Sequence, residues 1–353
     1  MNTRLISILV ISLFVVGLGT YFLKGRQPKA PVDLEQQRRQ LMRQKDLHVL
    51  GDHSAQTADV YAALVRLSQI KDSKARAEAL ARSGDPSPTV RMGAAQGLGY
   101  FTDPEAMSAL EKLLKDTEHG VRMQAIQGLG HEPGEQRETL LNQVISSRTA
   151  DREEVIAAWS SILVIAVQPQ KRDAAIDSLL QLGLDPKTLE KDATVAILRV
   201  LSFAPRDPRT LAALRTTVEA GRNTGIVSVA IRHLASAQDA LLHTMYGKLI
   251  QSSNIEVRLA TVQGLRFSCD PKRFQHLDHL LRQEKDRRVS DAAIREVQLM
   301  PSAEGEHMLE KLVEDEVLTD ELSRMARSAI VEIRRNSIDP CAVKPAVMPS
   351  PHA

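Results

Sequence analysis

Aromatic side chains are nearly missing from this chain, with one Trp, four Tyr and six Phe among 353 residues. Since 43% of the residues are hydrophobic, the interior must be aliphatic and alanine-rich, as in closely stacked helices. Cysteine is scarcer still. Cys269 and Cys341 stand in different contexts, one between helices and one in the tail, so neither a disulfide framework nor a zinc cluster is expected. No Walker loop, no G-x-G-x-x-G and no G-x-S-x-G elbow occurs, which removes the phosphate-cradle and serine-hydrolase readings that depend on them. Net charge is only +2 and uneven: eight bases against Asp33 and Glu35 make residues 1–45 net +6, and the body to Asn336 is net −4. A mildly acidic body is a poor generic partner for nucleic acid, and none is expected.

What the chain has in quantity is repetition. Val90 to Gly99 reads VRMGAAQGLG, Val121 to Gly130 reads VRMQAIQGLG, and Val257 to Arg266 reads VRLATVQGLR. Counted from the recurring Val, marks fall at Val90, Val121, Val155, a degenerate copy near Thr194, another near Val227 to Val229, Val257, Val289 and a last near Leu322. The interval of about 33 residues suits a two-helix repeat. Between marks, segments such as Glu105 to Lys115, Asp207 to Glu219 and Lys272 to Glu284 place apolar residues at i, i+3, i+4 and i+7. Each unit reads as a helical hairpin. Asp85-Pro86, Asp103-Pro104, Asp185-Pro186, Asp207-Pro208 and Asp270-Pro271 read as helix starts, Asp capping the first-turn amides and Pro supplying the first helical residue.

The N-terminus differs in kind. Leu5 to Leu23 is uncharged and bounded by Arg4 and Lys24; as a helix it would cover ~28 Å, close to a bilayer's hydrocarbon core. Gly17 and Gly19 could serve a signal-peptide cleavage site, but Tyr21, Phe22 and Leu23 continue the apolar run beyond it, which favours an uncleaved single-pass anchor. The short basic leader and large trailing domain favour an extracytoplasmic body. The seven bases after the span, by the positive-inside rule, favour a cytoplasmic one. The expected domains are an anchor at 1–23, a basic linker and spacer helix at 24–53, a solenoid at 54–336 and a Pro-rich disordered tail at 337–353.

The pattern Asp85-Pro-x-Pro-x-Val90-Arg91-x-x-Ala94-x-x-x-Leu98-Gly99, echoed by Asp116, Val121, Arg122, Ala125, Leu129 and Gly130, resembles HEAT repeats, in particular the short HEAT-like type shared with phycobilin lyases. The resemblance covers roughly Ser54 to Asn336 and is weakest between Asp185 and Ala237, where the Asp/Arg pair is absent. It implies an all-α, right-handed α-solenoid of about eight helix pairs after one transmembrane helix. It also implies that Val-Arg helices line the concave face and that Asp and Arg form a ladder between repeats.

At 100° per residue, if Val90, Ala94 and Leu98 face the core, Met92 and Gln96 point away, and Gly97 lies on the flank beside the next repeat. Gly128 and Gly264 recur at that flank position, each costing ~1 kcal/mol of helix propensity, so close helix approach is expected there. The outward positions are Met92, Met123 and Leu259 beside Gln96, Gln127 and Gln263, an apolar row next to an amide row. These six are the candidate protein- or peptide-binding residues. The alternative is that they are ordinary consensus positions without a ligand.

Catalytic chemistry is not evident. His131-Glu132 falls in a turn, and a single dyad does not make the di-iron site of the HEAT-like deoxyhypusine hydroxylase. His276 and His279 have a metal-compatible i, i+3 spacing without completing a ligand set. Trp159 reads as a packed anchor between repeats. HEAT-like DNA glycosylases need a cationic concave face, whereas Arg91, Arg122 and Arg258 are accounted for by stacking. No catalytic residue, cofactor, metal or small-molecule substrate is expected. The sequence favours a membrane-tethered scaffold or adaptor over an enzyme of the bilin-lyase type.

Overall fold

The computed structural model describes residues 34–52, 54–221 and 224–336. The anchor at 5–23 and the tail at 337–353 lie outside the described residues. Among the described residues no helix is long and apolar enough to cross a membrane, and there are eighteen α-helices and no strand.

The chain divides into two units, the first closing at Glu132 and the second opening at Pro133. The first contains α1 (Leu34–Gly51), α2 (Thr57–Gln69), α3 (Ser73–Ala81), α4 (Pro88–Leu98), α5 (Pro104–Leu113) and α6 (His119–Leu129). Successive pairs pack as hairpins, and α2, α4 and α6 stack side by side as one layer against α1, α3 and α5. The second contains α7 (Glu135–Ser146), α8 (Arg152–Ile165), α9 (Pro169–Leu184), α10 (Glu190–Phe203), α11 (Pro208–Ala220), α12 (Thr224–Ser236), α13 (Ala240–Leu249), α14 (Ile255–Ser268), α15 (Arg273–Leu281), α16 (Arg287–Gln298), α17 (Ala303–Glu314) and α18 (Asp320–Arg335). Its even-numbered helices again stack in one layer. All eight sequence marks fall within the first turns of the even-numbered helices α4 to α18. That follows from chemistry: Val90, Val121, Val257 and Val289 are buried, as are Ala94, Ala125, Ala260 and Ala293 four or three residues on.

Nine pairs form, where about eight are expected, because the segment read as a spacer supplies one more helix. Residues 35–45 of α1 are exposed, but Asp46 and Leu50 are buried, and α1 packs on α2. Arg66 donates to both oxygens of Asp46 at 2.9 and 2.6 Å, and Arg43 donates to Asp72 at 2.6 Å.

The Asp-Pro pairs divide. Asp103 and Asp207 are true N-caps, their carboxylates accepting from the amides of Ala106 and Arg209. Asp85, Asp185 and Asp270 do not start helices. Each accepts from an amide two residues later, Ser87, Lys187 and Lys272, and so shapes the turn that leads to a helix starting farther on. The cap of α4 falls at Ser87, with Pro88 as its first residue.

The expected glycine contacts form, with a change of neighbour. A Cβ on Gly97 would meet Ser68 Oγ at 2.8 Å, and one on Gly128 would meet the Ala95 carbonyl at 2.8 Å. Both contacts are to the preceding repeat rather than the next. Gly264 is looser, its nearest neighbours being Ile231 and the Tyr246 hydroxyl at 3.3 Å.

The expectation for cysteine is corrected as well: Cys269 is disulfide-bonded. It sits at the C-cap of α14 in the left-handed conformation, with φ 51°.

Candidate interaction surface

Arginines of the Val-Arg signature hold the repeats together and leave other side chains to face solvent. Arg91 donates from Nε and Nη2 to the two Asp116 oxygens at 2.8 and 2.9 Å, and from Nη1 to the Asp85 carbonyl at 2.8 Å. Arg122 makes the same turn contact with the Asp116 carbonyl at 2.8 Å. Arg258 repeats the bidentate geometry on Glu284, at 2.7 and 2.9 Å, so a glutamate takes the aspartate's place in that rung. The Asp185 end of the weak stretch is also paired, with Arg152 donating to it at 2.5 Å. That arginine precedes its Val mark instead of following it. The pairs set the acids' titration: Arg91 holds the Asp116 carboxyl below its ordinary range, and Arg76 holds Asp103 at about 2.

Of the six candidate residues, Met92, Gln96, Met123 and Gln127 lie on the adjacent helices α4 and α6, and Leu259 and Gln263 lie on α14 in the second unit. They do not behave alike. Gln127 is exposed, while the other five are half-buried. Gln96 Oε1 accepts from the Tyr61 hydroxyl at 2.5 Å, tying α4 to α2. Burial first, and the neighbouring Tyr100 second, push the Tyr61 phenol up. Met92 lies over Gly120 at the first turn of α6, its sulfur 3.3 Å from where a Cβ would stand. Part of the candidate stripe therefore joins repeats, and Gln127 is its most accessible member.

At the C-terminal ends of α4 and α6, Tyr100 and His131 stack with centroids 4.2 Å apart and planes 9° from parallel. Gln69 donates to the Tyr100 hydroxyl at 3.3 Å, and Lys71 pairs with Glu132 at 2.8 Å. The His131-Glu132 dyad is thus divided between a ring stack and an ion pair. His276 and His279 also separate: His276 lies near Tyr246, centroids 6.3 Å apart, with burial lowering its pKa, and His279 is exposed beside Gln251 at 3.3 Å.

Trp159 is half-buried. It lines a cavity of about 290 Å³ with Glu135, Thr139 and Asn142 of α7, where Lys171 pairs with Glu138. Sequence reading takes it only as a packed anchor.

Stacked helix pairs joined by arginine–carboxylate rungs and close glycine contacts define an all-α repeat protein. Residues 76–160, from α3 into α8, match the family model of HEAT repeats. No curated protein matches the chain. An engineered protein solved by crystallography in a structural-genomics programme is similar at 17% identity, over 83% of this chain and 96% of that chain. Its TM-score of 0.21 is too low to carry an argument.

Proposed function

We propose that the protein is a non-catalytic, membrane-tethered scaffold that binds a protein or peptide through the solvent side of its Val-Arg helices. One observation carries this reading: stacking consumes the Val, Arg, Ala, Leu and Gly of the repeats at Val90 and Val121 and leaves Gln127 exposed beside Met123. Helical repeats present long surfaces of this kind to protein partners. The apolar run from Leu5 to Leu23 supports the tether. The disulfide at Cys269 supports a body on the extracytoplasmic side, since such bonds persist in oxidising compartments.

The test has two arms. A reporter fused after Ala353 should be active in its exported form, and activity only in its cytoplasmic form rejects the proposed orientation. Proximity labelling from the intact protein should capture a partner that a folded Met92→Ser/Met123→Ser/Gln127→Glu variant loses; unchanged capture rejects this surface.

A further inference from the structure

The second unit carries a charge pattern that its net charge conceals. On the outward side of the Val-Arg layer stand Arg199 on α10, Arg232 on α12, Arg295 on α16, and Arg324 and Arg327 on α18, all exposed. Helix geometry places them there. Counting Val227, Val289 and Leu322 as zero, Arg232 and Arg327 fall at +5, Arg295 at +6 and Arg324 at +2, positions rotated away from buried Val227 and Val289 and from the buried residues at +4 and +7. In the degenerate repeat Ala193 is the buried reference, and Arg199 is its +6 residue.

The guanidinium groups of these five make no ion pair or hydrogen bond with the described residues, unlike those of the arginines that join repeats. Of the other charges on the same side, Arg266 pairs with Glu296 at 3.2 Å, Lys191 with Glu153 at 3.0 Å and Asp291 with Arg287 at 3.7 Å, while Asp320 on α18 is an exposed acid set against the five arginines. The surface is therefore locally basic, although the body as a whole is net −4. Aliphatic side chains alternate with the arginines: Val195 and Leu198 on α10 and Val331 on α18 are exposed, and Leu259 on α14 is half-buried.

We propose that this face of the second unit binds an extended polypeptide segment in which acidic residues alternate with aliphatic ones. The proposal rests on the scaffold reading and names the chemistry of its partner. Unpaired guanidinium groups are planar forks suited to carboxylates. The aliphatic residues between them match apolar side chains and have no counterpart in a phosphate backbone, which favours peptide over nucleic acid. Neighbouring helices in such a layer lie ~8–10 Å apart, and an extended chain advances ~3.3 Å per residue, so an acid about every third residue meets successive helices. Across the five helices from α10 to α18 the segment is about twelve residues long.

The test uses the full-length protein in detergent micelles and a fluorescein-labelled peptide of about that length, with Asp or Glu at every third position and Leu or Val between. Fluorescence anisotropy should show saturable, salt-sensitive binding, at least tenfold weaker in Arg232→Glu/Arg295→Glu/Arg327→Glu. The corresponding triple Gln variant, neutral rather than reversed, should show an intermediate loss, and circular dichroism checks that each variant stays helical. Equal binding by folded variants, no binding by the wild type, or equally tight binding of a single-stranded oligonucleotide overturns the proposal. If proximity labelling still captures the same partner with the triple Glu variant, the scaffold reading survives and this surface is wrong. Capture of no partner by the wild type rejects the scaffold reading itself.

Discussion

Gly99 and Gly128 meet backbone to backbone: a Cβ built on Gly99 would lie 2.4 Å from both the Cα and the carbonyl oxygen of Gly128. No flexible side chain stands between them to yield. The spacing of α4 and α6 at this point is set by two residues without side chains.

Replacing Gly128 with alanine should therefore destabilise the first unit, although alanine is the better helix former by ~1 kcal/mol. The new methyl would stand 2.8 Å from the Ala95 carbonyl, and overpacking of this kind typically costs about 2 kcal/mol. Gly247, on α13, is the contrasting case, because its nearest neighbour would be His276 at an ordinary 3.8 Å. Gly247→Ala should stabilise by about 0.5–1 kcal/mol. Urea melts of the two variants give the signs directly, and equal signs would rule out close approach as the reason for Gly128.

Asp116→Asn should cost about 2 kcal/mol, since it breaks a charge-assisted bidentate pair in which Arg91 and Asp116 side chains are only 14% and 11% exposed. The same pair predicts an acid limb. Asp116 and Asp103 titrate lower in the fold than in the unfolded chain, so their contribution is complete above the ordinary aspartate range of about 4. It is lost as pH falls towards the value of about 2 that Asp103 has in the fold. Thermal melts across that interval should show a shallower decline in Asp116→Asn than in the wild type.

Glu296 is expected to behave in the opposite way. Burial raises its pKa, with Arg266 at 3.2 Å pulling it down by a smaller amount. Because the fold holds this proton more tightly than the unfolded chain does, the contribution is full below the ordinary glutamate range and disappears as pH rises through the folded value. Glu296→Gln, which keeps an oxygen for Arg266, should melt higher than the wild type at pH 8 and lose that advantage near pH 4, the ordinary range. A variant that melts lower at pH 8 would show that the ion pair outweighs the burial.

Cys269 should resist alkylation in the native, unreduced protein and react after dithiothreitol. Reduction should lower stability by about 2–4 kcal/mol, the usual effect of a native disulfide. Intact-mass measurement before and after alkylation reads the first expectation, and chemical denaturation with and without reductant reads the second.

Sequence periodicity locates the even-numbered helices because their Val marks are core residues, and burial imposes that spacing. It does not reveal the first pair, since Tyr61 stands where Arg91 and Arg122 stand in later repeats and most of α1 is polar. The rungs are partly hidden too: Glu284 serves in place of Asp, and Arg152 reaches Asp185 from before its mark. Turn-shaping aspartates and helix-capping aspartates look identical when each is followed by proline, as Asp270 and Asp207 show. Of the candidate stripe, rotation identifies Gln127 as outward but cannot show that Gln96 is held by Tyr61. The arginines from Arg199 to Arg327 escape a net-charge argument because it sums both layers.

Arg91 serves two kinds of client at once, the carbonyls of its own turn and an acid 25 residues farther along the chain. During synthesis the first is available as soon as the helix forms, and the second emerges only when the next turn leaves the ribosome. The Arg91 rung is thus a delayed lock: its repeat can collapse by itself, but its guanidinium remains only half-engaged until its successor arrives. A nascent chain stalled just before Asp116 should hold its last completed repeat loosely, and one released past it should hold it firmly.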